Sequence, residues 1–306
     1  MSYHIVSIDA PTCSLSCHDG QLICRTDEGE KSVPMEDVAA IVVTSFSASI
    51  HSRLIIEAAR HGIAFVICDA FKPVSIVLPA NRSTDTLLTR AQVDLRSSDR
   101  QRLWSRTIDA KTKNQLSLAQ HLAPEHPDLA AMEAITHSKK SYKEAHAAKC
   151  FWGIYGESLS PDRPFRRSRD AGGINNLLNY GYAVLLSTVL QKLFAVGLDP
   201  TFGISHVVRE NSTPLAYDLM EPFRPCVDWR IAQWVREHPG AEEWTIDREF
   251  RAWVTSFPLE KVDYFDLSLE TRGCIEGVIR SFRKAVIAKQ PGIYRPWTQT
   301  NSKWAG

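Results

Sequence analysis

The first 85 residues contain short hydrophobic segments bounded by turn residues, a pattern that predicts β-strands. Two neighbouring segments, residues 14–18 and 21–25, are separated by Asp19-Gly20, which is typical of a two-residue hairpin turn. Further strands are predicted over residues 3–8, 39–43, 64–68 and 74–78, which are rich in β-branched residues.

One helix is predicted inside this β-rich region, at residues 49–61. Its apolar residues form a single stripe, and Gly62 supplies the left-handed conformation that commonly ends a helix. The strand pattern fades near residues 79–85, where we place a domain boundary. We therefore expect residues 1–85 to form a small, β-rich domain.

From residue 87 onward the apolar residues recur with helical spacing. The clearest helix covers residues 174–196, where apolar side chains surround most of the helix before Gly197 and Pro200 end it. Further helices are predicted over residues 87–122 as one or two helices, 129–155, 215–236, 247–255 and 273–289, with a coil over 292–306. The predicted fold class is α+β, with a small N-terminal β-rich domain followed by a larger all-α domain at residues 86–306.

Composition places the chain among ordinary folded proteins. Its 306 residues are 44% hydrophobic and 23% charged, which excludes disordered and collagen-like classes and suggests two domains. No apolar run is long enough to cross a membrane, and no secretory signal is evident, so the cytoplasm is the expected location. The seven cysteines contain no Cys-x2-Cys pair and are predicted to be reduced; Cys13 and Cys17, beside His18, are better explained by strand packing than by a metal site.

Charge is distributed unevenly between the two predicted domains. The net charge of +1 on its own argues against a polyanion partner, but residues 1–85 carry 6 basic and 10 acidic side chains, so the helical remainder is the basic part. Basic residues cluster at 96–106, at 280–284 and in a proline-containing loop that holds Arg163, Arg166, Arg167 and Arg169. Guanidinium groups pair readily with DNA phosphates, although a solvated loop explains the same composition equally well.

Glu144 is the first of three polar features within apolar surroundings in the helical part. It shares a predicted helix face with Ala148, and neighbouring alanines would let a second helix approach closely. The alternative is an ordinary surface ion pair with Lys149 or Lys140, which this segment on its own favours.

The second and third features are an imidazole and a pair of acids. His206 lies between apolar neighbours, and on its own such a histidine is more often a hydrogen-bonded core residue than a metal ligand. Asp218 and Glu221 are three residues apart, so their carboxylates point the same way on a helix, although the helix dipole alone also favours acids in a first turn. Pro222 beside them suggests that the local backbone shape matters.

Two carboxylates and an imidazole are suitable ligands for a divalent cation. Carboxylate oxygens favour Mg²⁺, one nitrogen ligand adds tolerance of Mn²⁺, and zinc is less natural without cysteine ligands. Such an ion polarises a phosphoryl oxygen and stabilises charge in an in-line displacement. Spacing alone does not show that these distant segments meet.

Four motifs in this order resemble one protein family, the CRISPR-associated adaptation endonuclease and integrase, the first of the two universal spacer-acquisition proteins. The motifs are Glu144-Ala-His-Ala-Ala-Lys-Cys-Phe-Trp152, Asn175-Asn-Leu-Leu-Asn-Tyr-Gly-Tyr-Ala-Val-Leu185, Gly197-Leu-Asp-Pro-Thr-Phe-Gly-Ile-Ser-His206 and Leu215-Ala-Tyr-Asp-Leu-Met-Glu-Pro-Phe-Arg-Pro225. The β-rich start is also similar to the N-terminal domain of that family. The resemblance therefore spans almost the whole chain.

The resemblance implies a β-rich dimerisation domain and a helical catalytic domain that binds Mg²⁺ or Mn²⁺. Matched motif by motif, Glu144, His206 and Glu221 take the places of the metal ligands, and Asp218 falls on an auxiliary acidic position. Two positions differ from the common pattern: Ala145 replaces a glycine, and the third ligand is a glutamate where many members have aspartate. The longer side chain resembles the compact members from systems with a single large RNA-guided effector nuclease.

The resemblance also implies partners and a reaction. Members of the family form homodimers, two of which flank a dimer of a small ferredoxin-like adaptation protein. The assembly inserts short duplex DNA into a CRISPR repeat by attack of DNA 3′-hydroxyls on phosphodiesters. Two alternatives stay open from the residues alone: a non-catalytic DNA-binding scaffold of the same fold, and a metal-dependent phosphoesterase acting on a small molecule.

Overall fold

The computed structural model describes residues 4–8, 10–43, 45, 47–69, 72–77, 86–138, 142–160, 165–206, 213–239, 244–299 and 304. Its β-rich half contains one helix, α1 (Ser52–Arg60), and the strands β1 (His4–Ile8), β2 (Thr12–His18), β3 (Gln21–Thr26), β4 (Gly29–Pro34), β5 (Val38–Val43), β6 (Ser47–Ile50), β7 (Ala64–Asp69) and β8 (Lys72–Val77). These strands form two four-stranded sheets, in the orders β1-β5-β7-β8 and β4-β3-β2-β6.

Turn residues fix the ends of several strands and of the helix in the β-rich region. Asp19 and Gly20 both have positive φ, 48° and 72°, which confirms the predicted turn between β2 and β3. Gly62 has φ 69° after α1, as predicted for a helix cap. The strands β4 and β6 were not predicted, and β6 takes residues 49–50 from the predicted start of the helix. Cys13 and Cys17 are buried free thiols of the sheet, in agreement with strand packing.

Helices make up most of the remaining described residues. They are α2 (Thr86–Val93), α3 (Ser97–Leu122), α4 (Leu129–Thr136), α5 (Lys143–Leu159), α6 (Ile174–Ala195), α7 (Pro214–Met220), α8 (Arg224–Glu237), α9 (Arg248–Thr255) and α10 (Thr271–Ala288). An N-terminal β-rich region followed by a mainly helical region confirms the α+β prediction. The predicted boundary at residues 79–85 lies outside the described residues, so the division at residue 85 stays a prediction.

The buried helix α6 organises the helical core. Leu177, Leu178 and Leu185 are fully buried on it, as its nearly continuous apolar sequence predicts. A side chain at Gly181 would meet Val227 of α8 at 2.5 Å, so this glycine permits the close approach of the two helices. Helix α6 also contacts β5 and β8, which connects the helical core to the β-rich half.

Several regions differ from the sequence prediction in detail. The single helix predicted over residues 215–236 is α7, the 3₁₀ turn Glu221–Phe223 and α8. The single helix predicted over residues 129–155 is two helices, α4 and α5, because a polar run after Thr136 interrupts the apolar stripe. A hairpin of two short strands, β9 (Lys261–Tyr264) and β10 (Leu267–Glu270), was not predicted. The predicted terminal coil has little regular structure beyond the short turn at Pro291–Ile293, yet it buries Trp297 in the core. Among the described residues, no helix has the length and hydropathy needed to span a membrane.

Candidate active site

One face of α3 carries polar side chains into the interior. Thr107, Lys111 and Asn114 follow Leu103 at helical spacing, so they share the side of the helix that packs on the core. Thr107 and Asn114 are fully buried, and the Lys111 side chain is largely buried. A buried ammonium requires anionic partners, because burial without them would strongly disfavour its charge.

Lys111 brings together two of the predicted site acids. Its Nζ atom lies 2.7 Å from Oε1 of Glu144, in the first turn of α5. The same atom lies 2.7 Å from Oε2 of Glu221, which begins the 3₁₀ turn Glu221–Phe223 between α7 and α8. Glu144 therefore pairs with the interior rather than with Lys149, while Lys140 lies outside the described residues. The two carboxylates face one point despite their distance in sequence.

Glu221 is the more deeply buried of the two acids. Its Oε1 accepts a hydrogen bond of 2.8 Å from Nε of Arg224, whose guanidinium lies 4.6 Å from the centre of the Tyr182 ring. Burial raises the pKa of Glu221, but Arg224 and Lys111 outweigh it and lower the pKa to about 2. Glu221 Oε2 is buried, and Lys111 is its cationic partner at 2.7 Å.

The backbone that carries Glu221 is fixed from α3. Asn114 donates through Nδ2 to the carbonyl oxygen of Pro222 at 2.7 Å and to that of Trp297 at 3.1 Å. Phe223 stacks on Trp297 with ring centres 5.5 Å apart and an interplanar angle of 5°. Pro222 cannot donate a backbone hydrogen bond, and the helix gives way there to a 3₁₀ turn. These contacts hold the acid's main chain independently of its charge.

Asp218 holds the loop that ends at His206. Its buried carboxylate accepts backbone N–H groups of Ile204 at 2.6 Å, Ser205 at 3.2 Å and His206 at 3.1 Å. The same carboxylate lies 2.7 Å from Nδ1 of His206, and this hydrogen bond raises the pKa of the imidazole. A side chain at Gly203 would lie 3.0 Å from Asp218, so glycine allows the loop to approach.

The half-exposed imidazole presents its second nitrogen outward. Nε2 of His206 makes no hydrogen bond to any residue in the described ranges, and the ring meets Trp104 edge-on at 5.8 Å. A carboxylate bonded to Nδ1 fixes the ring and leaves Nε2 as the nitrogen for a ligand. His206 thus combines the two interpretations that its sequence surroundings left open, because it is hydrogen-bonded and still accessible.

Arg100, a member of the basic cluster at residues 96–106, is used internally. It donates to the carbonyl oxygens of Leu95 and Gln92, each at 3.1 Å, and to that of Gly203. The guanidinium therefore joins the start of α3 to the loop that carries His206. Its role in the described structure is to position that loop.

The predicted DNA-contact arginines differ in their surroundings. Arg166 and Arg169 are exposed. Arg167 instead donates to Oδ1 of Asn175 at 2.9 Å and to Oδ1 of Asn179 at 2.8 Å, and it lies over the Tyr182 ring. Arg163 lies outside the described residues. Two arginines of this loop are therefore free to face a ligand, whereas Arg167 organises the loop itself.

A further buried acid lies behind the site and was missed in the sequence. Asp228 of α8 accepts a hydrogen bond from the hydroxyl of Tyr182, and burial raises its pKa to about 7. Its other oxygen finds no hydrogen-bond partner among the described residues. The signal in the sequence was its position between Val227 and Trp229, where both neighbours are core residues.

Lys111 and Arg224 were also not singled out as site residues. The signal for Lys111 was its place on the stripe of Leu103, Thr107 and Leu118, where an exposed lysine would not be expected. Arg224 follows Glu221 by three residues, the spacing of a helical ion pair. Within the described ranges no three His, Cys, Asp or Glu side chains converge closely enough to hold an ion together; the Lys111 ammonium lies against both glutamates instead.

Comparison with known proteins gives a consistent family. A family model described as CRISPR associated protein Cas1 matches residues 6–243 of the chain. The CRISPR-associated endonuclease Cas1 of Neisseria meningitidis serogroup C (strain 8013) is 27% identical over 289 residues, which cover 90% of each chain.

Solved structures share the fold at lower sequence identity. A casposase bound to integration product superposes with a TM-score of 0.79 and 20% identity, covering 100% of this chain and 96% of that one. A chain of a Cas6-RT-Cas1–Cas2 complex superposes with a TM-score of 0.74 and 14% identity, covering 98% of this chain and 36% of that longer one.

Proposed function

The chain belongs to the Cas1 family, and from this premise we propose that it is a metal-dependent DNA endonuclease and integrase of CRISPR adaptation. It would insert short duplex DNA into a CRISPR array by attack of 3′-hydroxyl groups on phosphodiesters. The observation that carries the proposal is the pair of glutamates, Glu144 and Glu221, each 2.7 Å from one ammonium group.

These residues fit a divalent cation. The Lys111 ammonium already has a carboxylate oxygen on two sides, and Oε2 of Glu221 is a buried oxygen with an unfilled acceptor position among the described residues. Glu144, Glu221 and Nε2 of His206 supply two oxygen ligands and one nitrogen, a set that suits Mg²⁺ and tolerates Mn²⁺. Held there, the ion would polarise a phosphoryl oxygen and offset charge that develops in the displacement.

The residues around this site have separate tasks in the reaction. Arg224 keeps Glu221 ionised, and Asp218 fixes the His206 ring through Nδ1. A DNA 3′-hydroxyl attacks the phosphorus, so one P–O bond forms to the incoming strand and one breaks to the leaving oxygen of the target strand. The attacking hydroxyl loses a proton and the leaving oxygen gains one, and His206 is positioned to assist in moving it.

The basic side chains would contact the DNA backbone. Arg166 and Arg169 are exposed on the loop before α6, and Arg163 belongs to the same cluster in the sequence. Arginine matches phosphate geometry with two parallel hydrogen bonds. We assign direct phosphate contacts to the exposed members and a supporting role to Arg167, which donates to Asn175 and Asn179.

The assembly would use the β-rich region. We propose that residues 1–85 mediate a homodimer, and that homodimers join a dimer of the small ferredoxin-like adaptation partner. The similarity to a chain of a Cas6-RT-Cas1–Cas2 complex supports association with a second adaptation protein. Because its substrate is chromosomal DNA, the protein would act in the cytoplasm.

The test is strand transfer by variants of the three assigned ligands. Glu144→Ala, His206→Ala and Glu221→Ala should each lower Mn²⁺-dependent joining of a 3′-hydroxyl duplex to a repeat by more than about 100-fold, beyond the usual effect of removing an outer-sphere partner. Circular dichroism and gel filtration would check the fold and the dimer.

The outcomes separate the alternatives. DNA binding without any metal-dependent product in the wild-type protein would favour a non-catalytic scaffold. Hydrolysis of a small phosphoester with no affinity for DNA would favour a phosphoesterase. Full strand transfer by the Glu221→Ala protein would contradict the assigned site.

A further inference from the structure

A surface cavity of about 330 Å³ lies beside the candidate active site. Its walls come from three elements: the tip of the β9–β10 hairpin, one side of α3, and the segment that follows α10. The cavity contains an exposed aromatic ring and several cationic side chains, and none of the assigned metal ligands lines it.

The aromatic side chain is presented by the hairpin tip. Phe265 has 62% of its surface exposed and a φ of 53°, a conformation that bulky residues rarely adopt. Its ring packs on Tyr264 with centres 4.6 Å apart, and the Tyr264 hydroxyl donates to the carbonyl oxygen of Arg295 at 2.8 Å. Tyr264 also closely approaches Gly277 of α10. The ring of Phe265 is therefore held toward solvent by a fixed support.

The cations of the cavity outnumber its acid. Arg106, Lys113 and Arg295 line it, and Asp109 is the single carboxylate among the lining residues that the structure describes. Asp109 is itself paired, because Lys143 of α5 lies 2.7 Å from its Oδ1 atom. Lys113 is exposed and pairs with no acid in the described part of the chain. The cavity therefore has a positive potential that is not neutralised internally.

The cavity and the candidate active site share structural elements. Ala110 and Lys113 line the cavity, and Lys111, between them in the sequence, contacts both site glutamates, so the same turn of α3 contributes to the cavity and to the site. The stacking of Trp297 on Phe223 fixes the lining segment to the turn that carries Glu221.

We propose that this cavity binds an unpaired nucleotide of the DNA strand next to the reacting 3′ end. The base would stack on Phe265, and its phosphate would contact Arg295 and Lys113. A base offers its flat face to a side chain only when it is unstacked, and aromatic rings beside cations are the usual platform for single-stranded nucleic acid. The inference rests on the proposed function, since it assigns a subsite to the same DNA substrate.

The experiment measures binding of two fluorescent duplexes of the same sequence, one blunt and one with single-stranded 3′ overhangs, by the full chain. Phe265→Ala should weaken binding of the overhang duplex about tenfold, as expected for one stacked base, and leave blunt-duplex binding unchanged. Phe265→Trp should restore it. The matched control is Leu267→Ala, which removes an equally exposed side chain, 61%, of the same hairpin outside the cavity.

A second pair of variants tests the phosphate contact. Arg295→Ala should weaken overhang binding and reduce its salt dependence, whereas Arg60→Ala, at an exposed ion pair of α1 outside the cavity and outside the basic clusters, should do neither.

The failures are distinguishable. Equal effects of Phe265→Ala and Leu267→Ala, or equal losses for both duplexes, would overturn the nucleotide cavity while strand transfer by the wild type continues. A wild-type protein that neither binds nor joins DNA would overturn the proposed function and this inference with it.

Discussion

Two clusters in the helical half each hold a glutamate between a lysine and an arginine: Lys111, Glu221 and Arg224 in the site cluster, and Lys192, Glu276 and Arg280 in the α10 cluster. The contact distances are alike, at 2.7 and 2.8 Å in the site cluster and 2.9 and 2.8 Å in the α10 cluster. In both, the two cations lower the pKa of the glutamate against the effect of burial.

The two clusters differ in burial and in what adjoins them. The glutamate side chain is 5% exposed in the site cluster and 31% exposed in the α10 cluster. A second acid, Glu144, meets the lysine of the site cluster, whereas Lys192 pairs with Glu276 alone among the described residues. Buried charge is costly, so identical residue types give a partly buried ion pair in one place and, where a second acid adjoins a deeply buried glutamate, a candidate catalytic site in the other.

The largest expected stability effect concerns Asp228, the buried acid behind the site cluster. Its pKa of about 7 exceeds the unfolded value of about 3.9, so the folded protein keeps a proton that the unfolded chain releases, and stability falls as pH rises from about 4 to 7. Asp228→Asn should remove this loss, about 3 kcal/mol of which falls between pH 5 and pH 7. Urea unfolding at pH 5 and pH 7.5 measures it; an unchanged pH slope in the variant would show that Asp228 ionises normally.

Replacement of the lysine by methionine should destabilise the protein more in the site cluster than in the α10 cluster. Lys111→Met leaves the two site glutamates facing each other without their shared cation, and we expect a loss of about 3 kcal/mol, the lower end for a broken buried pair because Arg224 stays in place. Lys192 is 14% exposed, close to the 12% of Lys111, but its partner Glu276 is 31% exposed and keeps Arg280, so Lys192→Met should cost less, about 1 kcal/mol.

Added Mn²⁺ should affect the stability of the Lys111→Met and Lys192→Met proteins differently. An ion bound between the glutamates would replace the missing charge, so Mn²⁺ should raise the unfolding temperature of the Lys111→Met protein more than that of the wild type or of Lys192→Met. Equal Mn²⁺ effects on all three proteins would show that Lys111 does not occupy the place of the ion.

The smallest expected effect is on the salt dependence of DNA binding, and it concerns exposed arginines. Replacement of both Arg166 and Arg169 by alanine should weaken DNA binding and reduce the slope of log affinity against log salt by about one for each phosphate that is no longer neutralised. Arg60→Ala, at an exposed ion pair with Glu57 in the β-rich half, is the matched control and should leave the slope unchanged. A slope that is the same in both proteins would remove Arg166 and Arg169 from the DNA interface.

Local signals in the sequence predicted much of the fold. Asp19-Gly20 and Gly62 act through their own backbone conformations, and α6 through its continuous apolar surface, so these features needed no tertiary information. The hairpin of β9 and β10 was not predicted although both strands alternate polar and apolar residues, because four residues are the shortest span on which alternation indicates a strand and the Phe265-Asp266 turn contains no glycine.

Of the candidate site, the sequence predicted only the acidic residues and the histidine. Glu144, His206 and Glu221 were found through motif resemblance, because each lies in a segment whose residue types recur in the family. Lys111 was not found, since its partners are far away in sequence and only the packing of α3 against α5 and the Glu221 turn brings them together. Such long-range pairing of charges is decided by tertiary packing and leaves no local pattern.

The most direct test of the site cluster as the place of catalysis is strand transfer in Mn²⁺ by two isosteric variants, Glu221→Gln and Glu276→Gln. Each removes one negative charge from between a lysine and an arginine and keeps the side-chain shape. We predict that Glu221→Gln loses strand transfer by at least about 100-fold, while Glu276→Gln retains wild-type activity. Equal activity of the two variants would contradict the assignment of catalysis to the buried site cluster.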